Sequence, residues 1–203
     1  MFHNMVMCGI PRSGSTLIWQ ILQSIFPRQK IIKTHPYDWD ADGSWVFASI
    51  RDPRDIAASL LRVRLSREGK KRNLEGKDIR QELKRMELNF EKLRKLIIGP
   101  HVILRYEEFY QNYDIIYDSI CKTFNITIPT KIRLQLNSKF SLKNNKGRAD
   151  NLKNFYDVDE WHVHGDHIGH IHPGYWKEFI PSWGMHYINK VCLPICKEWN
   201  YDE

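Results

Sequence analysis

No Cys-x-x-Cys pair occurs among the four cysteines, which stand at positions 8, 121, 192 and 196. Cys192 and Cys196 have the spacing of neighbours on one helix face rather than of a zinc knuckle, and a reducing, cytoplasmic setting is expected. No apolar run approaches the roughly 20 residues of a membrane span, and no membrane partner is expected. The first glycine loop opens at Gly9, too close to Met1 for a signal peptide to precede it. Internal repeats and linker-like stretches are missing too. With 203 residues and 42% apolar content, the expectation is a single domain over 1–203 with one full core. Nor does one sign of charge dominate. The 31 basic residues stand against 24 acidic ones, a formal +7 that suits an anionic ligand and equally suits nucleic-acid affinity or solubility.

The most specific absence is a lysine. Residues Met5 to Gln20 pass from an apolar run through small residues into an amphipathic start, the pattern of a strand, an anion-binding turn and a helix. Gly9 and Gly14 have the spacing of a Walker-type loop and Thr16 fills its hydroxyl position, but Ser15 stands where a nucleoside-triphosphate enzyme carries its lysine. Arg12 supplies a cation from inside the loop instead. The turn therefore offers backbone N–H groups, hydroxyls and one guanidinium to a phosphate at a helix N-terminus. The missing lysine argues against a β,γ-bridged triphosphate.

Strands and helices alternate beyond that loop. A helix is predicted from about Thr16 to Phe26, with Leu17, Ile21, Leu22 and Ile25 as its apolar stripe and Pro27 as its stop. Strands are predicted at 31–35 and 45–50, and Asp52-Pro53-Arg54-Asp55 opens a helix through Leu61. Arg64 to Lys77 reads as an exposed charged segment around Lys70-Lys71-Arg72. A helix from Asp78 to about Ile98, a strand at 101–105 and a helix from about Tyr113 to Phe124 follow. A shorter helix near Thr130 to Leu136 leads into the polar stretch Lys139 to Lys153, which reads as a loop. Trp183 to Trp199 closes the chain as a helix. This alternation implies an α/β fold, a P-loop-like three-layer sandwich whose mainly parallel central sheet is flanked by helices, with ligands at the strand C-termini.

Five segments carry the chemistry: Pro11-Arg12-Ser13-Gly14-Ser15-Thr16, Lys33-Thr34-His35, Arg51-Asp52-Pro53-Arg54-Asp55 with Ser59, Tyr106-Glu107, and Gly169 to Lys177. In this order they resemble the sulfotransferase family that uses 3′-phosphoadenosine 5′-phosphosulfate (PAPS). The first is similar to the family's 5′-phosphosulfate loop, normally Pro-Lys-Ser-Gly-Thr-Thr. The third resembles its 3′-phosphate motif, and the Arg-to-Ser spacing of eight agrees. The resemblance implies that Arg12, Ser13, Gly14, Ser15 and Thr16 hold the 5′ end of the cofactor, and that Arg51 and Ser59 hold its 3′-phosphate. It implies His35 as catalytic base, Lys33 at the transferring sulfuryl group, Tyr106 beside the adenine, and Gly174 and Trp176 in a loop that closes over the cofactor. The sequence departs from the family at Arg12, at Leu17 where a tryptophan often stacks on adenine, and in two extra residues between the last glycines. His167-Ile168 also replaces the usual Arg-Lys pair there.

The residues read physically in the same direction. A nucleotide with separate 5′ and 3′ anionic groups needs two basic, hydroxyl-bearing cradles, and an arginine fork with a serine two helical turns away makes the second. A singly charged sulfuryl group is stabilised in flight by cationic side chains, so PAPS with its product PAP (adenosine 3′,5′-bisphosphate), and no metal, is expected. An imidazole, with an unperturbed pKa of about 6.5, suits the task of taking the acceptor's proton.

Other readings stay open. Tyr106 equally fits a core-edge tyrosine, and the histidines at 162, 164, 167, 170 and 172 are dense enough to consider zinc, without a clear zinc pattern. The expected partner is a small-molecule or carbohydrate acceptor, with Trp39, Trp45, Phe155, Tyr156 and Trp161 as possible stacking surfaces and no nucleic acid. The rivals are a P-loop kinase using ATP and magnesium, and a basic protein binding polyanions without catalysis.

Overall fold

The computed structural model of the chain describes residues 5–36, 44–67, 74–154, 156–165, 168 and 172–201. Four parallel strands, β1 (Met5–Cys8), β2 (Ile31–Thr34), β3 (Trp45–Ile50) and β4 (His101–Arg105), form one sheet in the order β2-β1-β3-β4. β1 is buried along its whole length because it pairs on both sides, Met7 opposite Lys33 in β2 and opposite Phe47 in β3. Strands covered on both faces read as continuous apolar runs, and Met5-Val6-Met7-Cys8 is one.

Helices cover both faces. On one side α2 (Pro53–Arg67), α3 (Gly76–Leu96) and the C-terminal α9 (Met185–Glu198) pack over Val6, Cys8, Val46 and Ala48, with Phe90, Leu93 and Ile188 fully buried. On the other, α1 (Ser15–Ile25), α4 (Tyr106–Phe109), α5 (Asp114–Phe124) and α6 (Thr130–Lys139) bury Met5, Met7, Phe47, Phe109 and Tyr117. The alternation of strand side chains between the two cores is the period-two pattern of a sheet with helices on each face. α7 (Leu142–Asp150) and the short α8 (Trp176–Phe179) complete the helices used below.

Two expectations are corrected. Lys139 to Lys153, read as a loop, holds the end of α6 and all of α7, because tertiary hydrogen bonds outweigh its weak helix formers. Arg64 does not open an exposed segment. α2 continues to Arg67, and Arg64 pairs with Asp78 Oδ1 at 3.3 Å at the start of α3. Lys70-Lys71-Arg72 lies outside the described residues.

Candidate active site

The loop after β1 is shaped by two close approaches. A Cβ on Gly9 would lie 2.4 Å from Ser49 Oγ, and one on Gly14 would lie 2.8 Å from the Phe109 ring, so neither position admits a side chain without movement. Gly14 also has φ +82°, and Arg12 has φ 71°, both in the left-handed region. Ser13 locks the turn from inside. Its hydroxyl lies within hydrogen-bond distance of Ile10 O (2.5 Å), Ser49 O (2.9 Å) and Ser49 Oγ (2.6 Å), and the residue is fully buried. Gly14 caps α1 and brings no side chain to its first turn, where no acidic residue stands either. The positive end of the helix thus faces the cleft that Arg12, Gly14, Ser15 and Thr16 line.

The second cradle sits at the β3–α2 junction and meets the first. Arg12 Nε donates to Ser59 Oγ at 2.8 Å, although 47 positions separate them. Arg51, almost wholly buried, lies 4.4 Å above the Tyr106 ring and 3.4 Å from Asp55 Oδ2. Asp55 is itself an anchor: its two oxygens accept the Gly174 N–H (2.8 Å) and the Trp176 N–H (3.0 Å), while Arg51 Nη2 donates to His172 O at 3.1 Å. The segment 172–176 is thereby tied to the helix that carries the cradle. Arg54 grips Asp52 through both carboxylate oxygens and lies 4.8 Å over the Trp176 ring. Glu107 Oε1 accepts the Asp52 N–H at 2.8 Å and joins the β4 end to the same junction; burial pushes its carboxyl up.

On the other side of β1, His35 follows β2. Its Nδ1 lies 2.8 Å from Gly9 O. A carbonyl only accepts, so Nδ1 carries the proton, which in a neutral imidazole leaves Nε2 as the basic nitrogen. Lys33, two residues earlier on the same strand face, shares the cleft wall with His35, and burial lowers its ammonium from 10.5 to about 8. His162 is held down by burial and then by the Lys33 charge.

One cleft of about 600 Å³ takes in Arg12, Gly14, Ser15, Thr16, Lys33, His35, Arg51, Ser59 and Tyr106. Of the residues singled out by sequence, Ser13 turns its hydroxyl away into the core, and the Gly174 and Trp176 N–H groups are held by Asp55. The histidines scatter: His164 lines the cleft, His162 packs edge-on to Trp19 at 4.3 Å, and His172 meets Glu178 at 2.9 Å. His167 and His170 lie outside the described residues. Of the aromatics, Tyr156 lines the cleft, while Trp45 packs on Phe124 and Trp161 on Phe140. Trp39 and Phe155 also fall outside the described residues. Leu17 lines the cleft, whereas Trp19 points inward and donates to Ile31 O at 2.9 Å. Sequence reasoning missed Asp55 as an anchor, and missed Tyr110, Tyr113, Phe140 and Glu82 on the cleft wall. Asp55 was within reach, four positions after Arg51 on a predicted helix start.

No protein-family model and no curated protein sequence matches the chain. Among solved structures it is similar to a mouse sulfotransferase, SULT7A1, complexed with PAP, with a TM-score of 0.67 at 9% identity over 98% of this chain and 85% of that one. It is similar also to retinol dehydratase in complex with androsterone and inactive cofactor PAP, with a TM-score of 0.67 at 14% identity over 96% and 81% of the two chains. What these chains share at such low identity is the path of the backbone, and that path is the sulfotransferase fold.

Proposed function

We propose that this protein is a PAPS-dependent sulfotransferase that moves a sulfuryl group onto a hydroxyl or amine of a small-molecule or carbohydrate acceptor, in a reducing, cytoplasmic setting. One observation carries the proposal. Arg12 of the first cradle and Ser59 of the second touch at 2.8 Å on the wall of a single cleft that Arg51 also lines, so one doubly anionic nucleotide reaches both. The donor set suits that group. Among the described residues the cleft wall carries five cationic side chains, Arg12, Lys33, Arg51, Arg64 and Arg85, against one carboxylate, Glu82. A magnesium triphosphate site draws on a loop lysine and on metal-holding carboxylates, and that chemistry is poorly supplied here.

Bound there, PAPS supplies the sulfuryl group and departs as PAP. Arg12, the α1 N-terminus and the hydroxyls of Ser15 and Thr16 hold the 5′ side; Arg51 and Ser59 hold the 3′-phosphate; Tyr106 offers its ring to the base. Ser13 supports the loop from within, and Asp55 holds the backbone N–H groups of Gly174 and Trp176. Lys33 places positive charge beside the reacting centre. His35 takes the acceptor's proton at Nε2 while Gly9 O holds the opposite nitrogen.

Ligand-dependent melting tests this reading. PAP with chelator present should stabilise the protein by about 2.7 kcal/mol at a hundredfold excess over Kd. His35→Ala should lower turnover by roughly 10²–10⁴ with PAP affinity unchanged. Stabilisation by ATP with magnesium and none by PAP would replace the proposal with a kinase. Retained turnover in His35→Ala would remove this histidine from the mechanism.

A further inference from the structure

We infer that Asp55 is a positioning residue, which fixes the Arg51 fork and so sets the preference of the cleft for a nucleotide with a 3′-phosphate over one without it; the inference rests on the sulfotransferase reading above. Asp55 is fully buried and does not line the cleft, whereas Arg51 does. A carboxylate removed from water needs donors in its place. Three are present. The Gly174 N–H reaches Oδ2 at 2.8 Å, the Trp176 N–H reaches Oδ1 at 3.0 Å, and Arg51 Nη2 lies 3.4 Å from Oδ2. The two N–H groups converge on one carboxylate across a turn in which Gly174 takes φ +86°. The nearby Asp52 has a different duty, since its carboxylate accepts from Arg54 Nε and Nη2 at 2.8 to 3.1 Å.

The cluster holds Arg51 from three sides. Its Nη2 donates to His172 O at 3.1 Å and meets Asp55, and its guanidinium carbon lies 4.4 Å above the Tyr106 ring. A long side chain that orders only on binding loses rotamer freedom at that moment, and one already held in place has lost it on folding. A 3′-phosphate meets this pre-set fork. Adenosine 5′-monophosphate has no group there and gains nothing from it. The charge of Asp55 works in the other direction. A carboxylate 3.4 Å from the guanidinium offsets part of the field that an incoming phosphate feels, so charge alone predicts tighter PAP once Asp55 is neutralised. Positioning predicts the opposite sign, because an asparagine keeps the shape but turns one acceptor oxygen into an NH2 that faces N–H donors.

Calorimetry with PAP and with adenosine 5′-monophosphate, on the parent and on Asp55→Asn, tests the inference. We expect Asp55→Asn to weaken PAP about tenfold or more and the monophosphate less than about twofold. In an Arg51→Gln background the same substitution should change PAP affinity less than about twofold, because the fork through which Asp55 acts is gone. Tighter or unchanged PAP binding in Asp55→Asn, parallel losses for the two nucleotides, or an undiminished loss in the Arg51→Gln background overturns the positioning role and leaves the cofactor reading standing. Failure of the parent to bind PAP overturns the function itself. Should Asp55→Asn fail to fold, Gly174→Val takes its place in both backgrounds: its Cβ meets nothing within 4 Å, yet a β-branched residue opposes the left-handed turn that aims the N–H at Asp55. A loss confined to PAP and to the parent background, of about threefold or more, supports the role, and any other pattern overturns it.

Discussion

At the scale of single residues, Lys33 couples pH to both stability and binding. Its ammonium is lowered to about 8 by burial, against 10.5 in an unfolded chain. Between those values the unfolded chain binds more protons than the folded one, so stability rises with pH across that window, and below it the desolvation cost is fully present. Lys33→Met should therefore raise the melting temperature of the ligand-free protein at pH 7, with an advantage that shrinks as pH climbs from about 8 towards 10.5. The same substitution should weaken PAP, whose parent affinity falls once Lys33 loses its proton. Urea titrations and calorimetry at pH 7, 9 and 10 check both halves; a variant less stable than the parent at pH 7 would remove the desolvation cost from the account. A residue that destabilises the empty fold while serving an anion is the expected signature of a binding cation.

Among the elements, α7 shows where local propensity loses to tertiary contact. Its sequence, Leu-Lys-Asn-Asn-Lys-Gly-Arg-Ala-Asp, holds two asparagines and a glycine, all of which disfavour helix. What holds it is a reciprocal amide pair. Gln20 Nε2 donates to Asn145 Oδ1 at 3.2 Å, and Asn145 Nδ2 donates back to Gln20 Oε1 at 3.1 Å and to Phe140 O at 3.1 Å. Gln20 is fully buried on α1, and its amide also reaches Trp161 O at 3.1 Å. Ser141 caps the helix by accepting the Asn144 N–H. Gln20→Leu would leave the Asn145 amide short of a partner and should cost about 1–3 kcal/mol in urea-induced unfolding. An unchanged midpoint would mean that α7 stands on its cap and apolar contacts alone. None of this was visible in sequence, because a hydrogen bond across 125 positions leaves no local periodicity.

For the whole molecule, the legible part was whatever repeats locally or binds locally. The four strands, the helices with continuous apolar stripes and the glycine turn were readable from period and spacing, since buried faces and positive φ impose them directly. The meeting of Arg12 with Ser59, the anchoring of 172–176 by Asp55 and the inward turn of Ser13 were not, because each depends on which distant segments lie side by side. Parallel β1 and β3, the two central strands, bring the two cradles together at their C-terminal ends, where Arg12 and Arg51 line one cleft. Sharing one cleft has a measurable consequence in salt. A small nucleotide held by a few cradle cations is partly buried, so salt weakens it only moderately, whereas a polyanion lying over a basic surface releases many counterions. Raising sodium chloride from about 0.05 to 0.5 M should lower PAP affinity roughly three- to tenfold by screening. If the protein were instead a polyanion binder, a 20-nucleotide DNA would bind at low salt and lose about a thousandfold or more over the same range. Calorimetry with both ligands separates the two. Weak association of the oligonucleotide at low salt beside tight, moderately salt-sensitive PAP binding is the outcome expected of a nucleotide cleft.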